Sequence, residues 1–221
     1  GMGIGEKHLE AINSHKSSKV LIVCEKNKKK FIYLKKKYPN IIITDNENLI
    51  FSNKKINLVS IASYDDDHYN QILKCFNSKK NFIVEKPMCL KFHQLKKINS
   101  LLKLNKKIKM VSNLTLRTNS LFNYLKKKID RKKIFYIEAD YIWGRVHKLF
   151  EWRSRIFDYS LTLGAAVHMI DLVMWMLNQK PLSISSYGNN ISTKGTSFKK
   201  NSFIVYILKF KNNLVVKIAV N

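Results

Sequence analysis

The sequence predicts an α/β protein with two parts, a Rossmann-like doubly wound parallel sheet followed by an α+β domain with an open, mainly antiparallel sheet. Three observations predict this class. Short continuous apolar runs alternate with helix-period segments in the first half, as in strands that are buried on both faces. Longer strand-like segments with alternating polarity follow, as in sheets with one solvated face. The 221 residues suffice for two small domains.

The first domain is expected over residues 1–112. Its strands are predicted at residues 20–23, 41–43, 58–62, 82–84 and 108–111. Helices are predicted at residues 28–38, 68–76 and 90–104, because parallel strands need crossover connections. A glycine loop occupies residues 1–5. In a dinucleotide-binding unit such a loop follows the first, central strand, so we expect that strand to be missing here.

The second domain is expected over residues 113–221 and to be incomplete at its C-terminus. A helix is predicted at residues 120–129, a long strand at 133–143 that ends with Trp143, and a helix at 164–177. Three further strands are predicted at residues 183–187, 202–210 and 214–219. Asn212-Asn213 can form the turn of a β-hairpin between the last two strands. This half predicts a sheet with helices on one face.

The charge of the chain does not by itself indicate a nucleic-acid partner. Lys and Arg total 41 against 15 acidic residues, a net charge of +26, but only five of the basic residues are Arg. Recognition of phosphates and bases relies on the planar Arg fork. We therefore expect the Lys runs to be solvated helix faces, and nucleic acid to be an unfavoured partner, with polyanion binding as the open alternative.

The sequence also does not predict a membrane-spanning protein or a disulfide-stabilised protein. No apolar run reaches the ~18 residues of a membrane span. Cys24, Cys75 and Cys89 are scattered and form no C-x-x-C pair, which favours a reducing cytoplasm. No metal site is expected.

The glycine loop and the strand after it predict a dinucleotide site. The loop Gly1-Met2-Gly3-Ile4-Gly5 has G-x-G-x-G spacing and leads into a helix-period segment. A pyrophosphate can bind backbone N–H groups at such a helix N-terminus. Glu25 ends the next strand, 20 residues after Gly5, where a carboxylate can bind a ribose diol. Glu25 favours NAD over NADP, although Lys26 and Lys28 could bind a 2′-phosphate instead.

Two further motifs carry candidate catalytic groups. Glu85-Lys86-Pro87 closes the strand at residues 82–84, and ligands gather at the carboxyl ends of strands in such sheets. His168 and Asp171 lie three residues apart on a predicted helix and share a face. A surface salt bridge and an ordinary packed histidine are the alternatives at these two places.

The chain resembles the glucose–fructose oxidoreductase / inositol dehydrogenase / rhizopine catabolism (Gfo/Idh/MocA) family in the order of its short motifs. In sequence they are the glycine loop with His8, the strand ending in Glu25, Ser63 to His68, Glu85-Lys86-Pro87, Gly144-Arg145, Trp152-Arg153 and Gly164 to Asp171. The resemblance covers most of the chain. It implies a Rossmann domain, a second domain with an open sheet, NAD(P)-dependent oxidation or reduction of sugars, cyclitols and related small molecules, and homo-oligomers formed through the second-domain sheet.

The resemblance also implies roles for individual residues. Gly3 and Gly5 match the phosphate loop, Glu25 the ribose position, and Ser63 and His68 a loop beside the cofactor. Glu85, Lys86 and Pro87 match the E-K-P motif, in which the Lys reaches both nicotinamide ribose and substrate. Asn113, Arg117, Trp152 and Arg153 match substrate-site positions. His168 matches the catalytic His of the second domain, and Asp171 the Asp that follows it.

The sequence departs from the family in ways that leave a second hypothesis open. Besides the missing first strand and the early C-terminus, Gly164 stands where many relatives have an Asp, four residues before the His. The chain is therefore predicted to be either an enzyme or a truncated, non-catalytic relative that binds no dinucleotide. In the enzyme hypothesis His168, with a reference pKa of ~6.5, is the acid/base, Asp171 orients it, and Lys86 stabilises the developing alkoxide.

Overall fold

The computed structural model of the protein describes residues 2–142, 144 and 146–221. The chain divides into two compact units, Gly1–Asn113 and Leu114–Asn221. Each unit buries apolar side chains of its own. None of the helices in the described part of the chain has the length and hydropathy that crossing a membrane requires.

The first unit alternates helices with short parallel strands. In chain order these are α1 (Ile4–Ser14), β1 (Ile22–Cys24), α2 (Phe31–Lys37), β2 (Ile42–Thr44), α3 (Asn48–Ser52), β3 (Leu58–Ile61), α4 (His68–Asn77), β4 (Asn81–Val84), α5 (Phe92–Leu104) and β5 (Met110–Ser112). Each predicted strand of this half lies within two residues of an observed one. Helix α3 has no counterpart in the predicted pattern.

These strands form two parallel sheets. Strand β1 pairs with β2, with Ile22 opposite Ile42. Strands β3, β4 and β5 form the second sheet in that order, with Val59 opposite Phe82. In the described part of the chain α1 is the first element, and no strand joins the two sheets. The parallel pairing with helical crossovers confirms the predicted fold class of this half.

Two apolar clusters hold the first unit together. The larger one packs α4 and α5 on the second sheet through Ile72, Ile98, Phe82 and Val84, all essentially inaccessible to solvent. The smaller one lies around β1 and includes Met2, Leu9, Val23 and Leu34. The glycine loop is therefore tied to β1 through the buried side chain of Met2.

The second unit is a mixed sheet with helices on one face. Its elements are α6 (Ser120–Lys128), β6 (Tyr136–Glu138), α7 (Trp152–Arg155), α8 (Val167–Leu177), β7 (Ser183–Asn189), β8 (Phe203–Lys209) and β9 (Val215–Val220). The strand order is β6-β9-β8-β7, with β6 parallel to β9 and the other pairs antiparallel. The predicted mainly antiparallel open sheet is confirmed. Its inner face buries Tyr206, Leu208, Val216 and Ile218.

The strand predicted at residues 133–143 is much shorter in the structure. Regular pairing with β9 covers only Tyr136–Glu138, and Tyr141 adds an isolated bridge. Between them the Asp140 carboxylate accepts the backbone N–H of Ala219 at 2.9 Å. Because a side chain takes that donor, the backbone ladder is interrupted there. Trp143, at the predicted end of this strand, lies outside the described residues.

The helix predicted from residue 164 begins with an irregular turn. Regular α8 starts at Val167, and a π-helical turn at Thr162–Ala166 precedes it. Such single π turns occur often at functional sites, because they shift the side chains of one turn relative to the next. This turn carries Gly164 and lies directly before His168.

Candidate functional site

The glycine loop places the start of α1 against the end of β3. Gly3 is the N-cap of α1, and no side chain of the described residues caps the helix there. A Cβ built at Gly3 would meet no atom within 4 Å, whereas a Cβ at Gly5 would touch the Ala62 side chain at 3.4 Å. Gly3 thus leaves open space at the helix N-terminus, and the lack of a side chain at Gly5 allows close packing on Ala62.

Glu25, the predicted ribose-binding acid, lies beside this loop. Its carboxylate accepts the backbone N–H of Met2 at 2.6 Å and that of Asn27 at 2.9 Å. Burial is the largest single influence and would raise the pKa of Glu25, but the two backbone hydrogen bonds and the nearby Lys30 ammonium together outweigh it, and the pKa lies below its ordinary value. A carboxylate has about four lone-pair sites, so Glu25 retains acceptor capacity beyond its two backbone partners.

The E-K-P motif is anchored through its acid. Glu85 Oε1 lies 2.9 Å from His8 Nε2 and accepts a hydrogen bond from Asn113 Nδ2 at 2.5 Å. His8 Nδ1 lies 2.6 Å from Ser60 Oγ. A single neutral tautomer satisfies both His8 contacts, with Nε2–H donating to Glu85 and the Ser60 hydroxyl donating to Nδ1. The network joins α1, β3 and the ends of β4 and β5.

The same network sets the ionisation of Glu85. Burial would raise the pKa of its carboxyl, but the hydrogen bonds from His8 and Asn113 more than compensate, and the pKa lies below its usual range. Glu85 Oε2 also accepts the backbone N–H of Lys86 at 3.3 Å. The anionic Glu85 therefore fixes the backbone at the start of Lys86.

The other residues predicted beside the cofactor support this loop. His68, 1% exposed at the start of α4, lies with Nδ1 2.7 Å from the carbonyl oxygen of the buried Pro87. The Lys86–Pro87 peptide bond is cis. Ser63 donates to Gln71 Oε1 at 2.8 Å. The structure thus gives His68 and Pro87 packing and anchoring contacts beneath the E-K-P motif.

In the second unit, Arg117 and Asp171 form a two-point ion pair. The Arg117 Nε donates to Asp171 Oδ2 at 2.7 Å, and its Nη2 donates to Oδ1. The hydrogen bond that Arg117 donates to the Asp171 carboxylate raises the pKa of Arg117. We predicted Asp171 as the group that orients His168 and Arg117 as a substrate-site residue. The structure pairs these two residues with each other, because a planar fork matches a carboxylate, and both roles stay predictions.

His168 lies on the first turn of α8, and an aromatic ring covers one side of its imidazole. The Tyr141 ring stacks on it with centroids 5.4 Å apart and an interplanar angle of 16°. Both rings belong to the second unit. Tyr141 was not among the predicted site residues, and the only sequence signal for it was its position on one face of the predicted strand.

Trp152 and Arg153 converge on a buried tyrosine. The Arg153 guanidinium lies 4.2 Å from the Trp152 ring centroid and 5.8 Å from that of Tyr159. Trp152 meets Tyr159 edge-on at 6.5 Å. The structure thus brings the predicted pair together around Tyr159. Arg145, of the predicted Gly144-Arg145 motif, and Gly1 lie outside the described residues.

The predicted site residues thus form two groups. The first unit contains Gly3, Gly5, Glu25, Ser63, His68, Glu85, Lys86, Pro87 and Asn113. The second unit contains Arg117, Trp152, Arg153, His168 and Asp171. The convergence of Lys86 and His168 on one cleft stays a prediction. Sequence reasoning missed Ser60, Tyr141 and Tyr159 as members of these groups. No three His, Cys, Asp or Glu side chains within the described residues could hold a metal ion together.

Comparison with known proteins identifies the first unit. Residues 1–113 match the Gfo/Idh/MocA family, described as an oxidoreductase family with an NAD-binding Rossmann fold. The chain belongs to this family. The match covers just over half of the chain and includes the glycine loop, Glu25 and the E-K-P motif.

Individual relatives agree in fold over nearly the whole chain. The structure of myo-inositol 2-dehydrogenase from Lactobacillus plantarum superposes with a TM-score of 0.90 at 19% identity, over 99% of this chain and 67% of that one. Scyllo-inositol dehydrogenase from Lactobacillus casei, with bound NAD(H) and scyllo-inositol, gives 0.84 at 16% identity over the same shares. YteT of Bacillus subtilis (strain 168) is 26% identical over 176 residues, 72% of this chain. The chain spans 40% of the length of YteT.

The Glu85 network predicts a pH-dependent contribution to stability. At pH 7, Glu85→Gln should lower the free energy of unfolding by about 1–3 kcal/mol, because it removes hydrogen bonds to a buried charge. Since the folded-state pKa of Glu85 is lowered, this contribution is full above the unfolded pKa of ~4.3 and is lost as the pH falls through the folded value. Urea unfolding followed by circular dichroism should show the wild-type advantage at pH 7 and a progressive decrease of this advantage as the pH is lowered below about 4.3.

Asp66→Asn, at an exposed carboxylate of the same unit, is the matched control and should leave the pH dependence as in the wild type. An advantage of wild type over Glu85→Gln that does not change between pH 7 and pH 3.5 would contradict the assignment of an anionic, hydrogen-bonded Glu85.

Proposed function

We propose that this chain carries the site of an NAD-dependent oxidoreductase that transfers a hydride between nicotinamide and a carbinol carbon of a sugar, cyclitol or related polyol. The observation that carries the proposal is the anchored E-K-P motif. Glu85, held by His8 and Asn113, fixes Lys86 at the carboxyl end of β4. Ligands of doubly wound sheets gather at this edge. Family membership and the folds of the inositol dehydrogenases support the same reaction class.

The glycine loop suits a dinucleotide pyrophosphate. The open space at Gly3 and the N-terminus of the 11-residue helix α1, without a side-chain cap, offer backbone N–H donors to an anion. Glu25 would accept ribose hydroxyl groups through the lone pairs that Met2 and Asn27 do not use. The cofactor supplies a hydride acceptor or donor when it is bound.

The surroundings of Glu25 favour NAD over NADP. A second phosphate on the ribose would meet the anionic Glu25. The two lysines that could neutralise it have acidic partners, since Lys26 lies 3.5 Å from Asp67 and Lys28 lies 3.0 Å from Asp45. These exposed pairs are individually weak, but they reduce the positive charge available to a 2′-phosphate.

The chemistry is assigned to His168 and Lys86. As the carbinol carbon gives up its hydride, the hydroxyl proton passes to the His168 imidazole and the C–O bond becomes a carbonyl. A positioned base of this kind contributes about 10²–10⁴-fold to the rate. Lys86, as an ammonium, stabilises the developing negative charge on the oxygen. In the reverse direction the protonated imidazole returns the proton to the oxygen.

The second-unit sheet is proposed to pair with a second copy of the chain. Its face opposite the buried core carries the exposed side chains of Tyr136 and Tyr187 and the half-buried Val205, Ile207 and Val215. Lys217 on this face forms ion pairs with Glu138 and Asp140. The pairs neutralise charge inside a face that mixes apolar side chains with Ser183, Ser185 and Lys209, in a chain with net charge +26, which favours self-association over contact with a polyanion.

Cofactor titration tests binding and preference. NADH and NADPH should both quench or enhance the intrinsic fluorescence of the wild-type chain, with NADH binding at least ~10-fold more tightly, because ~1.4 kcal/mol of charge repulsion corresponds to tenfold. Glu25→Gln should reduce this ratio. Glu10→Gln, at an exposed acid of α1, is the control. Absence of binding to either nucleotide would favour the non-catalytic alternative.

Lys86→Met tests the chemical assignment. It should lower kcat for oxidation of inositols or sugars by at least ~10²-fold, a larger factor than its effect on the NADH dissociation constant, because the alkoxide develops only in the transition state. Lys103→Met, on the exposed face of α5, should match the wild type. An unchanged kcat in Lys86→Met would remove this residue from the mechanism.

Measuring the molar mass by light scattering tests whether the second-unit sheets of two chains pair. The wild-type chain should be a dimer or larger, and Ile207→Lys should shift it to monomer, because the substitution puts a charge at the centre of the proposed interface. Leu104→Lys, at a residue 80% exposed in the first unit, should leave the mass unchanged. A monomeric wild-type chain at micromolar concentration would contradict the proposal.

A further inference from the structure

We propose that Lys30 is a positioning residue for the dinucleotide, because its ammonium group holds the Met2 carbonyl and so directs the Gly3 N–H toward the phosphates. This inference rests on the proposed function, since it concerns the glycine loop as the pyrophosphate site. It assigns a role to one lysine of a run that the sequence analysis treated as a solvated helix face.

The backbone of Met2 is held on both sides by charged side chains. The Met2 N–H donates to Glu25 Oε2 at 2.6 Å, and the Met2 carbonyl oxygen accepts a hydrogen bond from Lys30 Nζ at 3.1 Å. Hydrogen bonds to ionised groups are roughly twice as strong as neutral ones. The Met2 side chain is buried in one apolar cluster with Leu9 and Val23. Three independent contacts therefore fix the backbone of Met2.

The contact with Lys30 determines where the next backbone N–H points. In a planar trans peptide group, the carbonyl oxygen of one residue and the N–H of the next point in opposite directions. Because the Met2 carbonyl is directed at Lys30, the Gly3 N–H is directed away from it. Gly3 is the N-cap of α1, where N–H groups have no intrahelical acceptor, and a Cβ at Gly3 would meet no atom within 4 Å. This donor thus belongs to a residue bordered by open space.

Without Lys30, the opposite orientation of the Met2–Gly3 peptide group becomes accessible. Rotating this group by half a turn would change the φ angle of Gly3 from −110° to a positive value, which glycine adopts about as readily as a negative one. The rotated group would present a carbonyl oxygen to an anion and turn the Gly3 N–H away. The glycine that leaves space for phosphates therefore also makes the peptide orientation depend on an outside contact, which Lys30 provides.

The turn that carries Lys30 is built on the same carboxylate that holds the loop. Glu25 Oε1 accepts the backbone N–H of Asn27 at 2.9 Å. Asn27 in turn accepts the N–H of Lys29 on its side chain at 3.1 Å and the N–H of Lys30 on its carbonyl oxygen at 3.0 Å. Lys30 is half-buried, whereas Lys28 and Lys29 are exposed. One carboxylate therefore fixes both the glycine loop and the turn from which the ammonium group reaches it.

A direct bond to a ribose 2′-phosphate is the competing role for this ammonium group. Lys26 and Lys28 pair with acidic side chains, whereas Lys30 donates to a backbone carbonyl. Burial, the largest influence on the pKa of Glu25, raises it, and the Lys30 ammonium is among the groups that lower it. Because the carboxylate and the ammonium balance each other across Met2, little attraction is left for a second phosphate. The two roles therefore predict different effects on NADH and NADPH.

Lys30→Met tests the positioning role through nucleotide binding, with Lys29→Met as the matched control. Both variants lose one positive charge from the same turn, but the loop contact belongs to Lys30. Lys30→Met should raise the dissociation constants of NADH and NADPH by about 10-fold each, because a hydrogen bond to a charged group contributes about that factor or more. Lys29→Met should stay within ~3-fold of the wild type, and so should Lys30→Arg, which keeps a charged donor. A loss confined to NADPH would overturn the positioning role in favour of a 2′-phosphate contact.

The Gly3 amide provides a second measurement that needs no nucleotide. In protein labelled with ¹⁵N-glycine, the Gly3 resonance is identified by its absence in Gly3→Ala. It should shift or broaden in Lys30→Met, because the peptide group is then free to rotate, and it should keep its position in Lys29→Met and Lys30→Arg. The resonance of Gly188, in the second unit, is the internal reference. An unmoved Gly3 resonance in Lys30→Met would overturn the positioning role even if NADH bound more weakly.

The outcomes separate this inference from the proposed function. A wild-type chain that binds neither NADH nor NADPH would overturn the proposed function, while the Gly3 resonance would still test the contact between Lys30 and the loop. A wild-type chain that binds NADH, with Lys30→Met binding it equally tightly, would overturn the positioning role and leave the proposed function standing. Weaker binding together with a moved Gly3 resonance, both restored in Lys30→Arg, would support the two proposals together.

Discussion

The candidate site in the first unit depends on one partly buried carboxylate, Glu85. A buried charge is costly unless hydrogen bonds replace the lost water, and here a histidine from α1 and an asparagine after β5 do so. These two partners lie 77 and 28 residues from Glu85 in the sequence. Removing the carboxylate would therefore take away the link between α1 and the end of β4 and leave Lys86 without its backbone anchor, while the 3.2 Å contact between Asn113 Nδ2 and His8 Nε2 would remain.

In the second unit, too, a carboxylate is held by hydrogen bonds from a specific partner. Arg117 binds both oxygens of Asp171, so neither residue presents an uncompensated charge. Among the described residues, the Tyr141 ring stacks on the His168 imidazole, and the phenol end of Tyr159 fills the space in front of Gly164. Aromatic walls exclude water and restrict a ring's orientation, and both effects favour controlled proton transfer. The site in this unit is therefore shaped more by packing than by ion pairs.

The sequence predicts the parallel half well and the partners of the site residues poorly. Runs such as residues 82–84 are buried on both faces, so composition alone indicates a strand. The strand at residues 133–143 is overpredicted because the side chain of Asp140 takes the Ala219 amide, which no periodicity reveals. The Arg117–Asp171 pair spans 54 positions, and Tyr159 fills the space in front of Gly164. Both are properties of tertiary packing, which a single sequence does not encode locally.

Because the chain is rich in lysine, the partners of the acidic side chains at the carboxyl ends of the parallel strands are informative. Within the described residues, most acidic side chains that form an ion pair do so with a lysine, as Glu6 does with Lys37 and Glu47 with Lys74. Glu25 and Glu85 are different, because their closest partners are backbone amides, a histidine and an asparagine. In the proposed function, Glu25 would meet the ribose hydroxyl groups as an anion, and the positive field of the chain would remain available to the pyrophosphate.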